Sequence, residues 1–235
     1  MYENKRIGII GAMPEEVEAL KQAMETEEKK DLAGMEFWTG KLDGKDAVVV
    51  QCGIGKVNAG VCAQMLISYF GTGMIINTGV AGSLDNDINI GDIVVSVDAV
   101  QHDYDVSPIG FKRGEIPFTG QVAFAADNML REKAVEAVRC AAPDTNVFEG
   151  RVCSGDQFIS SMEQKTRILD EFGGMCCEME GAAIAQVCFL NQTPFVIIRA
   201  ISDKVDGSDT MDYVTFEKGA ALHCSNIVRF MLKSI

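Results

Sequence analysis

Three carboxylates stand where apolar runs stop. Val196-Ile197-Ile198 gives way to Arg199-Ala200-Ile201-Ser202-Asp203, Glu16 follows Ile9-Ile10-Gly11-Ala12-Met13, and Glu180 follows Met175-Cys176-Cys177. Ligands of open α/β sheets sit beyond the carboxyl ends of the strands, so these acids occupy ligand-facing positions. A half-buried carboxylic acid can keep and donate a proton, while a second carboxylate in a different setting stays ionised and accepts one. The chemistry open to such a set is acid–base catalysis on a small molecule. Each residue also has a plainer explanation. Glu16 and the Glu178-Met179-Glu180 stretch suit first turns of helices, where acidic groups meet the positive end of the dipole. Asp203 suits a solvated strand end. The functional alternative for Glu178 or Glu180 is bidentate acceptance from a vicinal diol, such as a ribose.

Other candidates are weaker. Gly53-Ile54-Gly55-Lys56 follows a strand and opens a helix, a place where backbone N–H groups bind anions. The dinucleotide pattern fails at Asn58, and the phosphate-loop pattern fails at Val50 and Val57. A tight turn is the better reading, with a part in shaping a small-ligand pocket left open. Asn77-Thr78-Gly79-Val80-Ala81-Gly82-Ser83 ends a strand in small residues, which permit close approach to backbone or simply make a turn. His102-Asp103-Tyr104-Asp105 has ligand-type side chains, but His223 is the one other histidine. That is too few nitrogen ligands for the usual catalytic zinc site. The nucleophile-elbow pattern of serine hydrolases is absent.

The elements that must hold the carboxylates follow from periodicity. Strands are expected over 6–12, 37–42, 47–51, 74–78, 92–100, 147–153 and 195–201, with helices from Pro14 and over 56–70, 127–141, 163–172, 181–190 and 212–232. Asp43-Gly44 is a favoured two-residue hairpin turn, and Asp127 is an expected helix cap. Strands alternate with helices and several are apolar throughout, which means a mainly parallel or mixed sheet covered on both faces.

The bulk numbers narrow the partners. The chain has 235 residues, of which 47% are hydrophobic, and a net charge of −13. It can bury a substantial core, and no linker or repeat divides it, so residues 1–235 are expected to form one domain. The acidic balance argues against nucleic acid and against anionic membranes. No signal peptide or bilayer-spanning run is visible. Eight cysteines lie mostly in apolar runs without a C-x-x-C, which fits buried free thiols in a reducing cytoplasm.

Six segments in order carry a resemblance across nearly the whole chain. They are Ile7-Gly8-Ile9-Ile10-Gly11-Ala12-Met13-Pro14-Glu15-Glu16, Gly53-Ile54-Gly55-Lys56-Val57, Asn77-Thr78-Gly79-Val80-Ala81-Gly82, Ser154-Gly155-Asp156-Gln157-Phe158-Ile159, Glu178-Met179-Glu180-Gly181-Ala182 and Arg199-Ala200-Ile201-Ser202-Asp203. Together they resemble the 5′-methylthioadenosine/S-adenosylhomocysteine nucleosidases of the nucleoside phosphorylase superfamily. The resemblance implies a three-layer α/β/α fold with a central mixed sheet, and a homodimer. It implies hydrolysis of the N-glycosidic bond of adenosine thioethers without metal or organic cofactor, within methionine salvage.

Roles follow from the resemblance residue by residue. Asp203 is implied as the acid that protonates adenine N7, held by Ser202. Glu16 is implied as the base that activates water, with Arg199 ordering that water. Glu180 would accept the ribose hydroxyls, Met179 would pack on the sugar, and Phe158 would stack on the purine while the Ile159 backbone pairs with its edge. Gly82 would admit the ligand to the backbone, and Ile54 would help exclude water. Phe216 would close over the thioalkyl end, to which Val106, Ile109 and Pro117 of a neighbouring subunit would contribute. The sequence departs from the family at Val80, where many members have Ser, at Ile109, where an aromatic is frequent, and by three extra residues between Asp203 and Phe216.

For this chemistry Asp203 needs enough burial to keep a proton despite Arg199, and Glu16 needs the helix N-terminus to keep it ionised. A 6-amino-6-deoxyfutalosine substrate and a phosphate-dependent phosphorylase are the alternatives. The charge of Glu16 would repel phosphate and favours water. A silent binding protein on the same fold has no need of both an acid and a base.

Overall fold

The computed structural model describes residues 5–204 and 213–235, with side chains in the second stretch from residue 219 onward. In chain order these form β1 (Ile7–Gly11), α1 (Pro14–Ala23), β2 (Glu25–Leu32), β3 (Met35–Leu42), β4 (Lys45–Gln51), α2 (Lys56–Ser68), β5 (Met74–Ser83), β6 (Ile93–Gln101), β7 (Ala123–Ala125), α3 (Asn128–Ala141), β8 (Val147–Ser154), α4 (Met162–Phe172), β9 (Cys176–Glu178), α5 (Gly181–Leu190), β10 (Phe195–Asp203) and α6 (Tyr213–Leu232).

The mixed sheet expected from the sequence is present. β1 lies between β4 and β5, and β5 is followed by β10, all four parallel. Their residues are apolar on both faces because both faces are covered. One face packs under α2 and α5 through residues such as Ala63, Leu66, Ile184 and Cys188. The other packs under α1, α3 and α6 through Leu20, Val138, Ile227 and Met231. The sheet also closes on itself. β10 pairs β6, β6 pairs β8, β8 pairs β9 and β9 returns to β5. A small satellite core of Leu84, Val100, Ile159, Ile168, Phe172 and Cys177 holds α4 against this closed end.

Local chemistry accounts for the punctuation. Asp43 and Gly44 both have positive φ (48° and 81°), as a two-residue hairpin turn requires. Asp127 caps α3 by accepting from the Leu130 N–H at 3.0 Å. Three strands have no counterpart in the sequence-based expectation. β2, Glu-Thr-Glu-Glu-Lys-Lys-Asp-Leu, is an exposed edge that pairs only β3. Its charges carry no apolar alternation, and they suit an edge that must not pair with another chain. β7 and β9 have three residues each, too few to show a period.

Register places the site. Arg199 pairs with Gly79, and after an irregularity between Ile201 and Asp203, Asp203 pairs with Gly82. Such a bulge at a sheet end re-aims the side chain that follows it. β1, β4, β5 and β10 therefore open on one side, with Glu16, Ile54, Gly82 and Asp203 around their carboxyl ends.

Candidate active site

A cleft lies at those strand ends, lined among others by Glu16, Ile54, Gly82, Phe158, Ile159, Met179, Glu180, Ser202 and Asp203. It combines apolar walls with a few polar groups, as small-molecule sites do. Nine of the residues picked out by sequence thus converge. Arg199 does not line the cleft and lies fully buried behind it. Val106, Ile109 and Pro117 fall in the excursion between β6 and β7 and do not reach the cleft of their own chain; Ile109 is 72% exposed. The side chain of Phe216 lies outside the described residues.

Glu16 sits in the first turn of α1 and its side chain turns back on the strand end. One oxygen accepts from the N–H groups of Ala12 (2.6 Å) and Met13 (3.0 Å), the other from that of Val80 (3.0 Å). Position 80 therefore holds Glu16 through its backbone. Gly79 is required beside it: a Cβ there would collide with Glu16 Oε1 and lie 2.9 Å from Arg199 Nη1. The expectation that the helix N-terminus dominates the charge state of Glu16 does not hold. Burial pushes its carboxyl above the ordinary value, and the Arg199 charge and three N–H donors only partly oppose that. The shift makes Glu16 a stronger proton acceptor than a surface carboxylate.

Glu178, which sequence reasoning treated as a helix-start residue, organises the site from behind. It ion-pairs with Arg199 Nη2 and accepts from Ser154 Oγ. It also accepts from the N–H groups of Glu180 (3.1 Å) and Gly181 (2.8 Å), capping α5. Burial raises its carboxyl, but Arg199 and these hydrogen bonds outweigh that, and its net position is below the ordinary value. Arg199 Nη2 also donates to Asn77 Oδ1 at 2.6 Å, while Nε and Nη1 make no hydrogen bond. Enclosed in this way, Arg199 sets its charge against the surrounding carboxylates.

Glu180 accepts from the Gly55 N–H at 2.8 Å. Burial, and then the charge of Glu178, push it up to about 7. Gly55 has φ +98° and opens α2, so the Gly53-Ile54-Gly55 stretch is indeed a tight turn. The N–H groups at its helix start go to protein carboxylates: Gly55 to Glu180, and Lys56 to Asp156 at 2.8 Å.

Asp203 faces them from β10. Gly82 lies against it, and a Cβ there would come within 2.9 Å of Oδ1. Ser202 Oγ lies 3.1 Å from Asp203 Oδ1 and 3.2 Å from the Ala81 carbonyl. Two expectations fail. Asp203 is not well buried: its side chain is 42% exposed. Its cationic neighbour is also not Arg199, which is engaged with Glu178, but Lys165, whose ammonium pairs with Asp203 Oδ2. Lys165 was missed by sequence reasoning, although a signal existed. It shares the inward face of α4 with Ile168 and Phe172, at i, i+3 and i+7, so a lysine occupies a core position.

Among the described residues, His, Cys, Asp and Glu form no group of three or more arranged to hold a metal ion. No helix among them is long and apolar enough to cross a membrane.

The whole chain has relatives. A model of the phosphorylase superfamily matches residues 6–233. A 5′-methylthioadenosine/S-adenosylhomocysteine nucleosidase of Staphylococcus aureus (strain JH9) is 40% identical over 230 residues, covering 97% of this chain and 100% of that protein. The crystal structure of the nucleosidase of that name from Neisseria meningitidis, in complex with methylthio-immucillin-A, superposes with a TM-score of 0.92 at 37% identity, over 98% of this chain and 100% of that one. Futalosine hydrolase of Helicobacter pylori strain 26695 superposes with a TM-score of 0.91 at 31% identity, over 100% of both chains. The chain belongs to the phosphorylase superfamily and, within it, to the 5′-methylthioadenosine/S-adenosylhomocysteine nucleosidases.

Proposed function

We propose that this protein hydrolyses the N-glycosidic bond of 5′-methylthioadenosine and S-adenosylhomocysteine, giving adenine and the thioribose. The observation that supports the reading is that Glu16, Glu180 and Asp203 all line one cleft. Cleavage leaves positive charge on the sugar and negative charge on the base. Glu16 takes a proton from water as the water oxygen bonds to C1′. The C1′–N9 bond pair passes into the purine, and Asp203 gives its proton to N7. Groups of this kind each contribute about 10²–10⁴ in rate.

Glu180 accepts the ribose hydroxyls, with Met179 against the sugar. Phe158, 69% exposed at the cleft mouth, stacks on the purine as it arrives, the Ile159 backbone meets the base edge, and Ile54 helps exclude water. Arg199 balances the charge of Glu16, Glu178 and Glu180. Water is preferred to phosphate because the nearby backbone donors are already taken by carboxylates, and a phosphate would face two more acids.

A homodimer fits the apolar residues exposed on the packed pair α2 and α5, including Val57 (76%) and Leu190 (61%). In it Val106, Ile109 and Pro117 would complete the neighbour's thioalkyl end, together with Phe216. The free thiols suit a cytoplasmic enzyme of methionine salvage. A second reading, hydrolysis of 6-amino-6-deoxyfutalosine, is favoured by the likeness to the futalosine hydrolase. That substrate shares the adenine and ribose and differs beyond C5′.

Product analysis with 5′-methylthioadenosine, with and without phosphate, tests the proposal. The expected result is adenine and free methylthioribose at equal rates in both buffers. A phosphate requirement with a sugar 1-phosphate formed would overturn it, and turnover of aminofutalosine alone would favour the second reading.

A further inference from the structure

Lys165 is the one lysine among the described residues that is fully buried, at 2% exposure. Its ammonium has two partners in the structure, the Asp203 carboxylate and the Lys204 carbonyl, the latter at 2.7 Å. A buried ammonium is costly unless it is paired and hydrogen-bonded. A fold that only needed to fill this corner of the satellite core could do so with methionine or leucine, as Ile168 and Phe172 fill the rest of the α4 face. The charge is instead set against the one carboxylate on the base side of the cleft.

We infer that Lys165 is a positioning residue for departure of the base: it fixes Asp203 by Oδ2 and stabilises the carboxylate that Asp203 becomes once its proton has moved to the purine. The inference rests on the hydrolytic reading above. In the step concerned, the proton leaves Asp203 for N7 as the C1′–N9 pair enters the purine. Lys165 keeps its own proton throughout, and Asp203 is reprotonated from solvent after adenine leaves. Oδ1, whose hydrogen-bond neighbour among the described residues is Ser202 Oγ, is the oxygen assigned to the base. Charge-assisted contacts of this kind develop their full strength only as the negative charge forms, so the effect belongs in kcat.

Comparison of leaving groups separates this role from a purely structural one. An aryl 5′-methylthioriboside with p-nitrophenolate as leaving group needs no proton on departure, whereas adenine does. Lys165→Met should lower kcat for 5′-methylthioadenosine roughly 10- to 100-fold, leave the aryl substrate within about twofold, and cause no further loss in an Asp203→Asn background. Equal losses on both substrates, or the same loss with Asp203→Asn already present, would overturn it. Should Lys165→Met fold poorly, Lys165→Gln keeps a donor for the Lys204 carbonyl, loses the charge and gives the same readout. If Asp203→Asn alone leaves adenine release intact, it is the assignment of Asp203 as the acid that fails, a separate result.

Discussion

Under the proposed reading the cleft has a sugar end and a base end, and the two are built differently. At the sugar end, Glu16, Glu178, Glu180 and Arg199 are all buried, and each carboxylate is held by backbone N–H groups from strand ends or helix starts. At the base end, Asp203 is part-exposed, held by one buried lysine and one serine, beneath an exposed phenylalanine. The first end is held by the protein's own backbone groups, and on the proposed reading the second meets the purine. Transition-state charge is best met by groups that need not move, and the sugar end provides this for the developing cation. The base end leaves room for a flat purine to slide in and displace water from around the acid.

Substitutions at the sugar end should therefore cost most. Glu16→Gln keeps the size of the side chain but sets its amide NH2 against backbone N–H groups that now meet an oxygen, and it cannot take a proton; kcat should drop about 10²–10⁴-fold with little change in KM, and a loss confined to KM would contradict its role as base. Gly79→Ala comes next. The methyl group would push into Glu16 and Arg199, and displacement on the order of 1 Å should cost roughly 10²-fold in kcat. A near-normal rate would mean the carboxylate can move freely.

Glu180→Gln should have a smaller effect on turnover and an opposite one on stability. Loss of a charged acceptor should raise KM about tenfold or more. The Glu180 carboxyl rises from 4.5 to about 7 on folding. Between these values the native state binds more protons than the unfolded chain, so stability falls as pH rises through that window, by roughly 3 kcal/mol in all. The glutamine variant escapes this loss. It should melt higher than the wild type at pH 8, with the difference closing towards pH 5. A variant less stable than the wild type at pH 8 would show that the buried charge is better compensated than its surroundings suggest.

The same contrast explains what could be read from the sequence. β1, β5 and β10 declare themselves by unbroken apolar runs, and the acids after them stand out because the runs stop. Proximity across the fold is not written that way. Glu178 and Glu180 look equivalent at a helix start and both line the cleft, and only the arrival of Arg199 from β10 ties Glu178 into an ion pair. Glu16 was expected to be governed by its own helix, but its charge state is decided by burial under β5, which a local reading cannot weigh. Lys165 and Asp203 are 38 residues apart. The lysine was visible as a charge on an apolar helix face, but its partner depended on where β9 and β10 close the sheet. β2, a charged edge strand, had no local signal at all.

The most direct test of the division between the two ends is a comparison of Glu16→Gln and Asp203→Asn on two substrates, 5′-methylthioadenosine and a p-nitrophenyl 5′-methylthioriboside. Glu16→Gln should lose activity on both by similar factors, because both need an activated water. Asp203→Asn should lose activity on the adenine substrate alone, because only adenine needs a proton to leave. Equal loss by Asp203→Asn on both substrates would contradict the account, since Asp203 would then be serving the sugar or the fold and not the departing base.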